Sequence, residues 1–297
     1  MYAVTTPTGQ VGHAVLARLL EAGADLRVIA RSPDNAMVSA ARGRGAGVVA
    51  GSLDDPEVLA RAFDGVDAVF WLTPPSYDAD DVVARYTQFG ERAAQAIQRC
   101  GVPRVVHLSS FGAHLDAATG PIRGNRAVER ALDATSADVL HLRPAYFMDN
   151  DLWSVASVRE QGAFFFPVRG ACRIPRIATR DVAEVAANAL LDPSFTDQRT
   201  LELEGPRRVT FDEDARAIAQ AIGAPVQHVT VPPTAAREAM ANLGMSADAA
   251  ARVVELYEAL DAGVLGGAPP TPPLRTETTI EMFAREVFRP AYRAGAP

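Results

Sequence analysis

Short apolar runs alternate with longer segments of helical periodicity along the first half of the chain, and this alternation constrains the fold more than any other feature. Each run is continuously apolar, which is typical of strands buried on both faces of a parallel sheet. The intervening amphipathic segments would cover that sheet as helices. Right-handed crossovers then predict a doubly wound, Rossmann-type α/β sheet. The predicted strands comprise residues 2–6, 26–30, 47–50, 68–72, 104–108 and 139–142.

The regular alternation of strand and helix patterns ends at Pro144. Apolar runs at 164–167 and 201–203 have the character of isolated strands, and the helical segments between them are less regularly spaced. We therefore predict two parts. The first is a Rossmann domain that binds a dinucleotide, over residues 1–148. The second is a smaller, irregular α/β region that binds substrate or a partner, over residues 149–297 and interleaved with the main sheet.

The composition excludes several kinds of chemistry. All 29 of the residues counted as Lys+Arg are arginines. The absence of lysine excludes a lysine Schiff base, a P-loop lysine and a Tyr-x-x-x-Lys catalytic pair. A formal net charge of −7 argues against binding nucleic acid or an anionic membrane. No membrane span or secretion signal is recognisable, and two cysteines suit a reducing compartment, so we expect a cytoplasmic protein.

A glycine-containing turn between the first predicted strand and the first predicted helix is the strongest binding motif. In such a turn, backbone N–H groups and the helix dipole can hold a pyrophosphate. The first glycine of the usual trio is replaced by Thr6, whose Cβ would narrow the phosphate seat. The alternative is a strand–helix turn that binds nothing. The motif reads Thr6-Pro7-Thr8-Gly9-Gln10-Val11-Gly12.

The end of the second predicted strand indicates which dinucleotide would bind. An acidic residue there would bond the ribose hydroxyls, but this chain has Arg31 and Ser32, which suit the 2′-phosphate of NADP(H). The alternative is that Arg31 is a solvated surface residue. Asp54, after the third strand, would either meet the adenine edge or cap the next helix.

Several stretches in order along nearly the whole chain resemble the NmrA-like family of atypical short-chain dehydrogenases/reductases. The stretches Thr8-Gly9-Gln10-Val11-Gly12 and Ala30-Arg31-Ser32 belong to this set. The other stretches are Ala68-Val69-Phe70-Trp71-Leu72-Thr73-Pro74-Pro75, Val106-His107-Leu108-Ser109-Ser110, Leu142-Arg143-Pro144-Ala145-Tyr146-Phe147-Met148-Asp149-Asn150 and Thr179-Arg180-Asp181-Val182-Ala183.

The resemblance implies an NADP(H)-binding protein that either reduces substrates or senses dinucleotides and binds a regulatory partner. It implies that residues 72–74 line the nicotinamide-side ribose, that Ser109 lies near the nicotinamide, and that Pro144, Tyr146 and Phe147 frame the far side of the pocket. The predicted cofactor contacts are Thr6, Thr8, Gly9, Gln10, Val11, Gly12, Arg31, Ser32, Asp54, Leu72, Thr73, Pro74, Ser109, Asn125 and Pro144.

The usual proton-donating pair of short-chain dehydrogenases is absent. Asn125 holds the slot where relatives often carry lysine, and no tyrosine lies between Tyr86 and Tyr146. Ser109 and Tyr146 are the remaining catalytic candidates, the first as a hydrogen-bond donor to an acceptor carbonyl and the second as a proton donor at the pocket mouth. We expect the substrate to contact Phe111, Phe147 and Trp153.

Two functions follow from these features. The first is an NADPH-dependent reductase of a quinone, an enone or a similar small carbonyl compound. In such an enzyme NADPH supplies the hydride, and positioning of the substrate against it supplies most of the rate enhancement. The second is a non-catalytic NADP(H) sensor that binds a protein partner, and a weaker third is a non-redox isomerase or cyclase. The histidines show no metal-ligand spacing, and the acidic cluster Asp78, Asp80 and Asp81 is interpreted as a charged helix start. The oligomeric state stays open.

Overall fold

The main feature of the structure is an eight-stranded sheet in which every neighbouring pair of strands is parallel. This computed structural model describes residues 1–295, so the last two residues of the predicted C-terminal region lie outside the described residues. Helices cover both faces of the sheet, which confirms the predicted doubly wound α/β fold with smaller sheets in the C-terminal region.

The strands predicted for the first half of the chain are all present, most of them with the predicted bounds. In chain order the strands are β1 (Tyr2–Val4), β2 (Leu26–Ala30), β3 (Gly47–Ala50), β4 (Ala68–Leu72), β5 (Arg104–Leu108), β6 (Asp138–Pro144), β7 (Tyr146–Phe147), β8 (Ala163–Phe166), β9 (Arg173–Ile177), β10 (Arg199–Glu204), β11 (Arg208–Thr210), β12 (Gln227–Thr230) and β13 (Leu274–Arg275).

The strand order of the main sheet is β13-β10-β6-β5-β4-β1-β2-β3. From β1 the chain first builds outward through β2 and β3, and then returns to β4 on the other side of β1. The direction of winding therefore changes between β1 and β4. In open parallel sheets, ligands bind beyond the carboxyl ends of the strands at such a switch point.

Local sequence signals explain where most helices begin and end. Asp55 caps helix α3 (Pro56–Phe63) by accepting hydrogen bonds from the backbone, and Pro56 occupies its first turn. Gly101 ends helix α4 (Val82–Cys100) in the left-handed conformation. A 3₁₀ helix spans Met148–Ser154, and a π-helical turn at Ala284–Phe288 joins the last two helices. The α-helices are α1 (Gln10–Glu21), α2 (Ala36–Gly43), α3 (Pro56–Phe63), α4 (Val82–Cys100), α5 (Ile122–Asp133), α6 (Val155–Gln161), α7 (Thr179–Leu191), α8 (Phe211–Ile222), α9 (Pro233–Asn242), α10 (Ala247–Asp261), α11 (Ile280–Phe283) and α12 (Arg289–Ala294).

Successive side chains of each central strand enter different hydrophobic clusters. On β4, Phe70 packs with residues of α1 and α7, such as Leu16 and Leu190. Its neighbour Trp71 packs on the opposite face with Phe63 of α3, at 6.4 Å between ring centroids. Both faces of the strand are buried because strand side chains alternate in direction. Because both faces are buried, the strands appear in the sequence as continuous apolar runs.

The C-terminal half corrects one expectation. The predicted strand at 201–203 is not isolated, because β10 pairs with β6 in the main sheet and β13 pairs with β10. The run at 164–167 also has a partner, since β8 pairs with β12. Strand pairing depends on contacts across the fold, which no local pattern records. The division of the chain at residue 148 stays a prediction.

A buried ionic cluster lies at the centre of the C-terminal region. The side chain of Arg176, on β9, is fully buried and pairs with Asp151 and Asp214, whose side chains are 2% exposed. Its guanidinium also lies between two aromatic rings, 4.7 Å from the centroid of Tyr146 and 4.6 Å from that of Phe211. The two carboxylates and the two ring faces offset part of the cost of burying the cation, although Arg176 Nε has no hydrogen-bond partner within residues 1–295.

Candidate functional site

The turn between β1 and α1 has the geometry of an anion-binding helix terminus. Gly9 is the N-cap of α1, and within residues 1–295 no side chain caps the free N–H groups of its first turn. These groups point beyond the carboxyl end of β1, at the switch point of the sheet. Gly12 lies where a Cβ would come within 2.1 Å of the Thr6 carbonyl oxygen, so only glycine allows this close approach.

Thr6 fits the turn by adopting a left-handed backbone, with φ of 50°. Its carbonyl oxygen accepts a hydrogen bond from the Gly9 N–H at 3.0 Å, which closes the turn. The buried Thr6 hydroxyl has no hydrogen-bond partner in the described part of the chain. A non-glycine residue in this conformation is strained. The unpartnered hydroxyl lies beside Gly12, 3.1 Å from where a Cβ on that residue would stand.

A cleft of about 510 Å³ extends from this turn along the carboxyl ends of β1, β2, β3 and β4. Its size, the uncapped helix terminus and the exposed Arg31 fit a dinucleotide. Eight of the predicted cofactor residues do not line this cleft: Gln10, Val11, Gly12, Leu72, Thr73, Ser109, Asn125 and Pro144. The predicted cofactor residues that do line it are Thr6, Thr8, Gly9, Arg31, Ser32, Asp54 and Pro74.

Asp54 lines the cleft, and its contact with the adenine edge stays a prediction. The N-cap of α3 is Asp55, so the capping alternative for Asp54 is wrong. The Asp54 carboxylate pairs with Arg85 and Arg92 of α4. Burial would raise the pKa of the Asp54 carboxyl, but the hydrogen bond from Arg85 and the charges of both arginines hold it below the usual value.

Sequence reasoning missed part of the cleft wall. Asn35, Ser52, Arg85 and Phe89 all line the cleft, and the Arg85 guanidinium lies 4.2 Å from the centroid of the Phe89 ring. One pattern in the sequence could have indicated that α4 contributes to this wall. Arg85 and Arg92 are seven residues apart and therefore lie on one face of α4.

Ser109, at the end of β5, belongs to a buried polar network. Its hydroxyl donates a hydrogen bond of 2.6 Å to Glu129 of α5. Arg143 holds both oxygens of the same carboxylate, each at 2.8 Å, and also donates to Glu202 at 3.2 Å. Because the Ser109 proton is engaged by Glu129, the hydroxyl oxygen is free only as an acceptor. Asn125 lies one turn before Glu129 and is partly exposed.

A second, smaller cavity of about 60 Å³ adjoins this network beyond the ends of β5, β6 and β10. The predicted substrate residue Phe111 lines it, together with Arg143 and Glu202. Burial raises the pKa of the Glu202 carboxyl above its usual value, although the bond from Arg143 opposes this shift. The Phe111 N–H donates to the carbonyl oxygen of the buried Pro144, which connects this wall to the end of β6.

The structure contradicts the prediction that Tyr146 lies at the pocket mouth. Its side chain is 6% exposed and packs against Phe211 in the C-terminal core. The Tyr146 and Tyr257 hydroxyls are hydrogen-bonded at 2.8 Å, and burial raises the pKa of the Tyr146 phenol. Both effects make Tyr146 a poor proton donor to a ligand. Phe147 is partly buried on β7, whereas Trp153 is 61% exposed on the 3₁₀ helix.

The histidines do not form a metal site. Throughout residues 1–295, no group of three His, Cys, Asp or Glu side chains could hold a metal ion. Two of the histidines, which showed no paired spacing, nevertheless meet on adjacent strands: the Nδ1 atoms of His107 and His141 are 2.9 Å apart. Burial lowers the pKa of His107 well below its usual value, so His107 is a neutral part of the core.

Comparison with known proteins identifies the family. A model of the NmrA-like family matches residues 2–293. The chain belongs to the NmrA-like family. This membership confirms the resemblance found in the sequence.

The relatives of this NmrA-like chain include reductases. It is 30% identical over 284 residues to an NAD(P)H azoreductase of Xenophilus azovorans, a match that covers 96% of each chain. It is 34% identical over 244 residues to the (4-alkanoyl-5-oxo-2,5-dihydrofuran-3-yl)methyl phosphate reductase of Streptomyces griseus, covering 81% of this chain and 80% of the relative.

Solved structures share the fold. The NADP(H) complex of Citrobacter triphenylmethane reductase has a TM-score of 0.75 at 23% identity, covering 92% of this chain and 97% of that chain. NmrA, a negative transcriptional regulator in complex with NADP, has a TM-score of 0.71 at 15% identity, covering 99% and 97%. At these identities the likeness is one of fold.

No helix within the described residues is both long and apolar enough to cross a membrane.

Proposed function

We propose that this chain is an NADPH-dependent oxidoreductase that reduces a conjugated acceptor such as a quinone, an enone or an azo compound. The cleft at the switch point carries the proposal, because it combines an uncapped helix terminus with Arg31 and Ser32 at the end of β2. The reductase names of the two relatives support the reaction class.

Different parts of the cleft would bind different groups of NADP(H). The N-terminus of α1 would hold the pyrophosphate, and Arg31 and Ser32 would hold the 2′-phosphate by charge-assisted hydrogen bonds. The segment Leu72–Pro74 would line the nicotinamide-side ribose. The Thr73 side chain is buried, and its hydroxyl accepts a hydrogen bond from the Trp71 indole at 3.1 Å.

The polar network around Ser109 limits what the protein can add to the chemistry. Bound NADPH would supply the hydride. The Ser109 proton is committed to Glu129, and Asn125 replaces the lysine that would activate a tyrosine. Residues 109, 125 and 144 would therefore orient the nicotinamide and the acceptor, while water protonates the product. Quinones suit this arrangement because solvent readily protonates their reduced form.

Steady-state assays with a quinone and an azo dye test the reaction. We expect the protein to oxidise NADPH in the presence of menadione or methyl red, and to do so faster than it oxidises NADH. Absence of oxidation with both acceptors would refute the reductase. The alternative function, an NADP(H) sensor, is favoured by the missing proton donor, and it predicts equal affinity for NADP⁺ and NADPH with no turnover.

Removal of the Arg31 guanidinium should change the choice of cofactor. We expect Arg31→Ala to weaken NADP(H) binding by about 1.5–3 kcal/mol, the value of a hydrogen bond to a charged group, and to leave NAD(H) binding nearly unchanged. Calorimetric titration with all four nicotinamide dinucleotides measures both effects. Arg44→Ala is the matched control, because Arg44 is exposed near the amino end of β3. If Arg31→Ala keeps the preference for NADP(H) over NAD(H), Arg31 does not bind the 2′-phosphate.

A further inference from the structure

Two residues that line the smaller cavity each carry a buried polar atom without a hydrogen-bond partner in the described part of the chain. They are His114, in the loop between β5 and α5, and Glu204, the last residue of β10. The atoms concerned are His114 Nδ1 and Glu204 Oε2. Because a buried polar atom is costly unless something bonds it, this pair indicates a cavity that a ligand completes.

Glu204 is held in place through its other oxygen. Arg208 donates a hydrogen bond of 3.2 Å to Glu204 Oε1. The guanidinium of Arg275 comes within 3.4 Å of Glu204 Oε2 and forms an ion pair there, but not a hydrogen bond. A carboxylate oxygen can accept from more than one donor, so Glu204 Oε2 can still accept from a ligand.

His114 is positioned by α5 and stays uncharged. Arg126 of α5 fixes its loop by donating to the Leu115 carbonyl oxygen at 3.0 Å. Burial lowers the pKa of the His114 imidazole, the positive charges of Arg143 and Arg126 lower it further, and only Glu129 opposes the shift. The ring is therefore neutral at pH 7, and in one tautomer its Nδ1–H can donate to a carbonyl oxygen.

The charges around the cavity are balanced. Three cations and three carboxylates lie in its wall or directly behind it: Arg143, Arg208, Arg275, Glu129, Glu202 and Glu204. The two arginines of the wall are each bonded to a carboxylate of the same wall, at 3.2 Å in both cases. An anion would meet two carboxylates and a cation two guanidinium groups, so the cavity favours an uncharged polar group.

The size of the cavity limits what can enter. An apolar cavity of about 150 Å³ holds one benzene ring, whereas this cavity has about 60 Å³. Leu265 forms part of its outer wall, which Arg208 fixes by donating to the Gly266 carbonyl oxygen at 2.7 Å. A planar ligand can therefore insert only one edge, and the polar groups on that edge must be adjacent.

The cavity is connected to the residue that we place near the nicotinamide. Arg143 lines the cavity and shares the carboxylate of Glu129 with the Ser109 hydroxyl. A ligand with one edge in the cavity would keep its ring outside, next to this network.

We propose that the cavity binds one edge of the acceptor, with His114 Nδ1 donating to the carbonyl oxygen and Glu204 Oε2 accepting from an N–H or O–H group beside it. The preferred acceptors are then uncharged carbonyl compounds with an adjacent hydrogen-bond donor, such as aminoquinones. The proposal rests on the proposed function and specifies its substrate class. His114 and Glu204 act through hydrogen bonds alone, so NADPH still supplies the hydride and water the proton.

Calorimetric titration of the full-length protein in the presence of NADP⁺ tests the class of ligand. The three probes share one ring system. 2-Amino-1,4-naphthoquinone carries the donor, menadione has a methyl group of similar size at that position, and 2-hydroxy-1,4-naphthoquinone is an anion at neutral pH. We expect the amino compound to bind about tenfold more tightly than menadione, and the anion to bind most weakly. Equal affinity for the amino compound and menadione, or tightest binding of the anion, would overturn the proposal.

Substitution of His114 tests the contact with the carbonyl oxygen. His114→Leu should weaken binding of both uncharged quinones by about fivefold, whereas His114→Asn, whose amide nitrogen can donate in place of Nδ1, should stay within about twofold of the native protein. Asp116→Asn is the control, because Asp116 is 99% exposed on the same loop. If His114→Leu binds menadione as tightly as Asp116→Asn does, His114 does not bind the acceptor.

Substitution of Glu204 tests the contact with the donor. Glu204→Gln should bring the affinity for 2-amino-1,4-naphthoquinone to within about twofold of that for menadione, and leave menadione binding unchanged. A preference for the amino compound that survives in Glu204→Gln would exclude Glu204 from the site. NADPH oxidation with menadione by a protein that fails these tests would leave the proposed function standing. Tight binding of the amino compound without NADPH oxidation would refute the reductase and leave the binding site.

Discussion

Replacement of Arg176 by methionine is expected to lower the free energy of unfolding by about 3–5 kcal/mol. The substitution keeps much of the side-chain volume but removes the cation between Asp151 and Asp214, both of which are almost fully buried. Two carboxylates would then share a low-dielectric site without a counter-charge. Urea unfolding monitored by circular dichroism measures the loss.

A matched substitution three residues earlier on β9 is the control. Arg173 is 53% exposed and pairs with Glu213 at 3.0 Å, so Arg173→Met should cost at most about 1 kcal/mol. The loss in Arg176→Met should shrink as the pH falls. Burial already raises the pKa of Asp151 in the native protein, and without Arg176 it would rise further, so protonation would remove the unpaired charge. Equal losses in the two variants would contradict the assignment of the cluster as a stabilising unit.

Replacement of Gly12 by alanine is expected to lower the free energy of unfolding by about 3 kcal/mol and to abolish measurable NADP(H) binding. The new Cβ would lie 2.1 Å from the Thr6 carbonyl oxygen and 2.9 Å from the Thr6 carbonyl carbon. Backbone atoms cannot turn aside as a flexible side chain can, so α1 must move away from β1. The N–H groups at the start of α1 would then leave the position in which they meet a pyrophosphate.

Gly43→Ala separates this steric effect from the general effect of removing a glycine. Gly43 is also helical, and a Cβ there would have no atom within 4 Å. We expect Gly43→Ala to leave stability unchanged or to raise it by about 0.5–1 kcal/mol, because alanine loses less backbone entropy than glycine. A Gly12→Ala protein as stable as Gly43→Ala, with full NADP(H) affinity, would show that α1 adjusts freely.

The first half of the fold could be predicted because its signals are local. Strands such as Ala68–Leu72 are continuously apolar since both of their faces are covered, and their bounds agree with the sequence pattern. Some strands of the second half lack such signals. Strand Leu274–Arg275 has two residues, both exposed, and exists only because it pairs with β10. Pairing of this kind is a property of the assembled fold.

The same distinction applies to the site. The turn at 6–12 and Arg31 were predictable because each follows directly on a strand of the sheet. Tyr146 was misplaced because the groups that bury it, Phe211 and Tyr257, lie far away in the sequence. The bond between Ser109 and Glu129 is similar, since it joins β5 to α5 and no spacing rule connects them.

The pairing of β10 with β6 has a consequence for how the protein can evolve. Strand β6 has its second ladder of hydrogen bonds only because a strand from the C-terminal half supplies it. A chain that ended before β10 would expose the β6 edge, which carries mostly buried side chains, to other chains and to aggregation. The first half of the chain therefore cannot be exchanged between proteins as a separate module.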